Sequence, residues 1–212
     1  MKLVLDKKHG NRIEFLAEGL SLAFANMLRR YSISRVPVLA VDHITFYDNN
    51  SAMWDEYLAH RLGLIPLTTP ENLPENVGVV LTLDSEGPGT VYSGDMKSSD
   101  KEISVGVDDI PFVTLGSDQR VRLEGYASLG TGKKHAKFQA GIVSYGEEKD
   151  KLRFMVESFY QMQPYEILKR SCDVLEKDIE DVEAALGAKP KKAKKTAAKK
   201  STAKKKTTKK KK

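Results

Sequence analysis

Four groups of residues have the types and spacing to do chemistry. Leu129-Gly130-Thr131-Gly132-Lys133-Lys134 resembles a phosphate-cradling loop, in which glycines bring backbone N–H groups close to the anion. The full pattern G-x-x-x-x-G-K-[ST] needs Gly at 127 and Ser or Thr at 134, where this chain has Ala127 and Lys134. A Gly-rich surface loop is the reading that remains. Glu86-Gly87-Pro88-Gly89 lacks the third glycine of a dinucleotide fingerprint and reads as a turn. Glu56 and His60 lie four apart, as two metal ligands on one helix face would. No H-E-x-x-H pattern accompanies them, so a surface polar pair is expected. His9, His43, His60 and His135 are scattered, and no Ser–His–Asp set can be assembled. The fourth group, Arg29-Arg30, has two readings. One is favourable charge near a helix C-terminus; the other is a bidentate clamp for a partner's carboxylates. The apolar face ending at Tyr31 favours the second.

A single cysteine, Cys172, permits no internal disulfide, no cysteine-based zinc site and no cysteine-ligated iron–sulfur cluster. No cofactor is therefore expected. The formal charge of +6 hides a division. Residues 189–212 hold 14 of the 35 basic residues and no acid. The remaining 21 basic residues face 29 acids, a balance of −8 for residues 1–188. The basic character belongs to the tail and says nothing about nucleic-acid binding by the body. The Lys/Ala/Thr tail reads as disordered. It is either a solvated end or a polyanion contact that weakens with salt. No apolar run reaches the roughly 18–20 residues that span a bilayer, and the N-terminal apolar stretch is short for a signal peptide. A cytoplasmic protein is the expectation.

The elements that must position these residues follow from periodicity. Leu3-Val4-Leu5 and Arg12 to Leu16 flank His9-Gly10-Asn11 as a hairpin. Leu20, Ala23, Phe24, Met27, Leu28 and Tyr31 repeat as one helix face. Pro37 to Phe46 reads as a strand. Asp48 to Ser51 offers N-caps for a helix from Ser51 to Leu62, closed by Gly63 and Pro66. Val77–Leu83, Val121–Leu123 and Ile142–Tyr145 are short strands in a loop-rich middle, and Lys151–Glu157 is another strand. Pro164 opens a final helix in which Leu168, Cys172, Leu175, Ile179, Val182 and Leu186 are spaced 4, 3, 4, 3, 4. Six apolar positions, each contributing about 1.5–3 kcal/mol when buried, must meet something. The pattern leaves open whether that is the chain itself or a partner.

LSLAFANMLRRYSISRVPVLAVDHITFYDNNSAMWDEYLAHRLGLIPL, TLDSEGPGTVYSGDM (from Thr82), LGTGKKHAKFQ (from Leu129) and ESFYQMQPYEIL (from Glu157) occur in this order. Together with the long last helix they resemble the D-subunit family of archaeal RNA polymerase, over residues 1 to about 187. That family is related to the eukaryotic third-largest polymerase subunit and to the N-terminal domain of the bacterial alpha subunit. The resemblance implies an α+β fold: a discontinuous dimerisation domain (1–47 and 148–188), a β-rich insert (48–147) and the tail (189–212). It implies a non-catalytic assembly platform that pairs with subunit L and docks subunits N and B, with catalytic magnesium on the large subunits and DNA met through the complex. By position, the dimer interface would be Leu20, Phe24, Met27, Leu28 and Tyr31 with Leu168, Cys172, Leu175, Ile179, Val182 and Leu186. Contacts within the assembled core would be Arg29, Arg30, Asp55, Glu56, His60 and Arg61. Many members carry a cysteine-rich ferredoxin-like module or a zinc-binding loop. Here only Gly146 to Lys151 stands between Tyr145 and Leu152, and the tail is outside the family pattern.

Overall fold

The computed structural model describes residues 2–71, 73–74, 78–149 and 151–187. Val77 and the lysine tail lie outside the described residues. The architecture is α+β. The chain divides into two compact units, residues 1–177 and 178–212, and the described part of the second is the last turns of a helix and a closing turn.

The expected hairpin forms from β1 (Lys2–His9) and β2 (Arg12–Glu18), antiparallel, with a bulge between Leu5 and Lys7. Its other neighbour comes from far along the chain. β10 (Lys151–Ser158) pairs with β2, and β9 (Gly141–Glu148) pairs with β10, giving the order β1-β2-β10-β9. Along β2 every second side chain is buried: Ile13, Phe15 and Ala17. That alternation is what a sheet covered on one face requires. Phe15 and Phe154 stack at 5.1 Å in the middle of this core. Helix α1 (Leu22–Ser34) and the N-terminal half of α3 (Pro164–Ala185) contribute Ala25, Leu28 and Ile167 to it.

A second sheet has the order β3-β8-β4-β6, from β3 (Pro37–Asn49), β4 (Val79–Glu86), β6 (Lys97–Ser98) and β8 (Arg120–Thr131). β5 (Gly89–Tyr92) pairs separately with β7 (Pro111–Leu115). Helix α2 (Asp55–Leu64) buries Leu58 and Leu62 against this β-rich half. In β3, Val38, Leu39, Ala40 and Val41 are all buried. Val38 and Ala40 join the first core, Leu39 and Val41 the second. One strand thus separates two cores, which explains its unbroken apolar run.

Three expectations need correction. Helix α2 starts at Asp55, not Ser51: Asn49 and Ser51 hydrogen-bond each other and the Met53 carbonyl, and Trp54 holds the cap position without a side-chain bond. β8 runs over twelve residues instead of three, and Leu129–Thr131 is strand paired with β3, not surface loop. Gly130 is there because a Cβ would lie 2.7 Å from three ring carbons of the fully buried Phe138. Helix α1 begins at Leu22, so Leu20 precedes the cap Ser21 and packs against the first core. Sheet membership also crosses the expected segment boundaries. β3 lies in the second sheet although most of it precedes residue 48, and β9 lies in the first although all but its last residue precede residue 148.

Candidate functional site

Helix α1 is capped by Ser21, whose hydroxyl accepts from the Phe24 amide at 3.3 Å. Ala25, Leu28 and Ser32 face inward. Ser32 Oγ donates to Ser171 Oγ at 3.0 Å, so small residues let α1 and α3 approach closely at a satisfied polar contact. Of the expected interface on α1, Leu28 is buried in the chain's own core, while Phe24, Met27 and Tyr31 are half-buried. Arg29 is half-buried and its guanidinium forks onto Asn26 Oδ1 at 2.9 and 3.3 Å. Arg30 is exposed and makes no ion pair among the described residues.

Helix α3 buries Pro164, Ile167, Ser171 and Leu175, a row that shares only Leu175 with the expected seam. Arg170 Nη2 donates to the Thr69 carbonyl at 2.9 Å and ties this half of the helix to the segment after α2. Of the seam, Leu175 is buried, Leu168 is half-buried and Cys172 is exposed, its thiol pushed up by partial burial and then by Asp173. The last three positions are open: Ile179 is 49% exposed, Val182 59% and Leu186 81%. Gly187, at φ +76°, closes the helix as its C-terminal glycine.

On α2, Asp55 and Glu56 occupy the first turn, where acids favour the helix dipole. Asp55 accepts from Asn49 Nδ2 at 2.6 Å. Glu56 and His60 are exposed. Arg61 turns inward: Nη2 donates to the Pro111 carbonyl and its buried Nε has no partner among the described residues. Sequence reasoning missed the apolar part of this surface. Trp54 at the cap is 82% exposed, and Tyr57 in the first turn and Leu64 at the far end of α2 are each more than half exposed. A tryptophan just ahead of a polar helix turn was the available signal. The exposed Leu3, Val4 and Leu5 of β1 were also missed as a surface.

The phosphate-loop segment does other work. Lys137 Nζ donates to Asp42 Oδ1 at 2.6 Å and to the Val41 carbonyl at 3.0 Å, and Lys134 Nζ reaches Asp42 Oδ2 at 3.2 Å. The Lys137 hydrogen bond, reinforced by Lys134, holds the Asp42 carboxyl down at about 2 despite partial burial. Both ammonium groups also lie within about 5 Å of the Phe138 ring centroid, at 5.1 and 5.2 Å. These lysines clamp β3 to the 132–139 turn. The 620 Å³ cleft beside Gly10, Thr69, Gln161 and Glu166 contains one carboxylate and no histidine or cysteine in its wall. Among the described residues no three His, Cys, Asp or Glu side chains converge as metal ligands would. What the surface offers is uncovered apolar area flanked by charge.

The RNA polymerase Rpb3/RpoA insert domain matches residues 44–160. The DNA-directed RNA polymerase subunit Rpo3 of Methanocaldococcus jannaschii is 43% identical over 160 residues, 75% of this chain and 82% of that protein. The chain belongs to the D-subunit (Rpo3) family of archaeal RNA polymerase. Subunit Rpo3 of Pyrococcus horikoshii is 47% identical over 152 residues, and that of Natronomonas pharaonis 48% over 128. These matches cover 68% and 60% of the chain but only 59% and 52% of the relatives. The chain thus spans little more than half the length of several Rpo3 relatives it matches. The family match starts within β3 and ends just before α3, so it holds the second sheet apart from the first part of β3, together with β9 and β10. No helix among the described residues is long and apolar enough to cross a membrane.

Proposed function

We propose that this chain is a non-catalytic assembly platform of an archaeal DNA-dependent RNA polymerase, acting in transcription in the cytoplasm. It pairs with subunit L and the pair docks subunits N and B. The observation that carries this reading is the uncovered apolar stripe Ile179, Val182 and Leu186, on a helix whose other half is packed. Apolar residues left in water at regular helical spacing are what a subunit interface supplies. Residues 1–47 and 148–188 serve as the dimerisation region and 48–147 as the insert. Arg30 and the α2 surface of Trp54, Tyr57, Glu56 and His60 face the rest of the polymerase. Arg29, Asp55 and Arg61 belong to the same assembly surface, each held in place by a bond within the chain: Arg29 to Asn26, Asp55 to Asn49 and Arg61 to the Pro111 carbonyl. The role needs no cofactor, and one cysteine cannot hold a cluster or a Cys-based zinc. DNA is met through the complex, with the lysine tail adding weak, salt-sensitive contact.

Co-expression tests the reading. Alone, the chain self-associates or aggregates; with subunit L it yields a soluble 1:1 complex on size-exclusion chromatography with light scattering. A well-behaved monomer that ignores subunit L refutes it.

A further inference from the structure

The second sheet has an open face, opposite the core into which α2 buries Leu58 and Leu62. Along β8, Val121, Leu123 and Ala127 point into that core, and Arg122, Glu124 and Tyr126 alternate with them onto the other side. Directly opposed residues on neighbouring antiparallel strands share a face. Thr45 and Thr82 therefore flank Glu124, and His43 and Val80 flank Tyr126. Tyr47 falls in the bulge between Phe46 and Asp48, with no partner on β8. A bulge re-aims the side chain that it leaves unpaired. Here Tyr47 Oη donates to Glu124 Oε2 at 3.0 Å, and Tyr126 Oη donates to the same oxygen at 2.9 Å. The Arg122 guanidinium lies over the Tyr47 ring, 5.5 Å from its centroid, and steadies it. Two large rings are thus fixed in the open, 56 and 40% exposed, around one carboxylate.

That carboxylate is not neutralised. Among the described residues no cation pairs with Glu124, and Oε1 has no donor. The neighbouring cations of β8 are already engaged: Arg120 with Asp84 and Glu86, Arg122 with Asp84. The unmatched charge selects the occupant. A phosphate backbone would meet negative charge, so nucleic acid is repelled. Each carboxylate oxygen has about two acceptor sites, and the two phenols fill those of Oε2. A guanidinium fork, which grips both oxygens at once, is therefore poorly served. A lysine ammonium is a point charge with three rotatable donors. It can bond Oε1 and the free lone pairs of the phenol oxygens, while its methylene stem lies against the rings.

We infer that Tyr47, Glu124 and Tyr126 form a seat for a lysine side chain presented by another polypeptide of the polymerase. The inference rests on the assembly reading above. It gives the open face of the second sheet a recognition role of its own, apart from the pairing helices.

The test uses polymerase assembled around the tagged full chain and a water-soluble carbodiimide. The reagent activates a carboxylate; a lysine amine in contact attacks the activated carbon, an amide forms and the urea leaves. Tandem mass spectrometry maps the links, with the in-chain pairs Lys151–Glu18 and Lys169–Glu71 as positive controls. The expected product joins Glu124 to a lysine of a second subunit. Control links with Glu124 unjoined, or joined only to a lysine of this chain, overturn the inference alone. Glu124→Lys is expected to lose at least about tenfold against the wild-type chain in competition for assembly, with the denaturant midpoint of the diluted chain unchanged. The reciprocal Lys→Glu change in the linked subunit is expected to restore incorporation. Equal incorporation of Glu124→Lys and wild type overturns the seat. If the tagged chain brings down no other polymerase subunit, the assembly reading falls and the inference with it.

Discussion

Replacing the open end of the α3 seam with alanine separates interface from core most cleanly. In the single chain Ile179, Val182 and Leu186 keep 49, 59 and 81% of their area in water. Full burial of such a side chain is worth about 1.5–3 kcal/mol, so covering the exposed part contributes about 1–2 kcal/mol each. The methyl group that alanine retains lowers the loss. The triple variant Ile179→Ala/Val182→Ala/Leu186→Ala should therefore lose about 2–4 kcal/mol of pairing, roughly a 30- to 1,000-fold rise in Kd. Because little of this area is buried in the chain, and because alanine is the best helix former, the melting of the isolated chain should hardly move. Ile167→Ala is the contrast. Ile167 is fully buried in the first core, and its truncation should cost about 2–5 kcal/mol of folding stability. Competition of each variant with the wild-type chain for co-expressed subunit L, and denaturant melts of each variant diluted below self-association, measure the two quantities. Unchanged affinity in the triple variant, or a loss of folding stability as large as that of Ile167→Ala, would refute the reasoning.

Three further outcomes are expected. Asp42→Asn removes an acceptor held by Lys137 and Lys134 and should destabilise the chain by about 1–2 kcal/mol at neutral pH. The Asp42 carboxyl is depressed from 3.8 to about 2, so its stabilisation is present above pH 4 and is lost as pH falls through about 2. Denaturant melts at pH 7 and pH 2 should show the mutational difference shrinking at the acid end, and a difference independent of pH would rule the clamp out. Gly130→Ala pushes a methyl into the Phe138 ring and should cost about 1–3 kcal/mol, read by denaturant midpoint, whereas a neutral result would mean the turn after β8 yields freely. Arg30→Ala should leave the thermal midpoint unchanged while weakening recruitment of the second-largest catalytic subunit to the paired subunits in a pull-down, and equal recruitment would remove Arg30 from the assembly surface.

The local elements are legible where one rule dominates. The hairpin around Gly10, the α1 face and the proline-opened α3 follow from turn chemistry and period alone. Other features depend on partners distant in sequence. β8 reads as three residues because Gly125 and Gly130 interrupt its apolar pattern, yet both sit where another side chain presses on the backbone: Leu62 and Val41 on Gly125, Phe138 on Gly130. The start of α2 escapes a local reading because Asn49 and Ser51 satisfy a turn instead of a helix end. Family motifs mark α1, α2 and α3 as the surface-bearing helices, but not which side faces out. Ser171 is buried because Ser32 waits across from it, a pairing no periodicity announces. Leu28 and Leu175 are expected at an interface, and both are buried within the chain. The openness of Leu3 and Leu5 depends on which helices fail to reach them, and that has no local signature.

The pairing of β2 with β10 also bears on synthesis. Leu152, the residue that completes the sheet beside Ala17, follows it by 135 positions. At about 5–20 residues per second a ribosome needs roughly 7–27 s to bridge that interval. Throughout it the newborn hairpin is a two-stranded ribbon, marginal by itself in water, with Phe15 lacking the ring it stacks on. Its sheet closes only after β10 emerges, and α3 follows within a few residues. Any co-translational encounter with a sister subunit is thereby postponed to the closing moments of translation, and a chaperone has a defined window in which to hold the front of the nascent polypeptide.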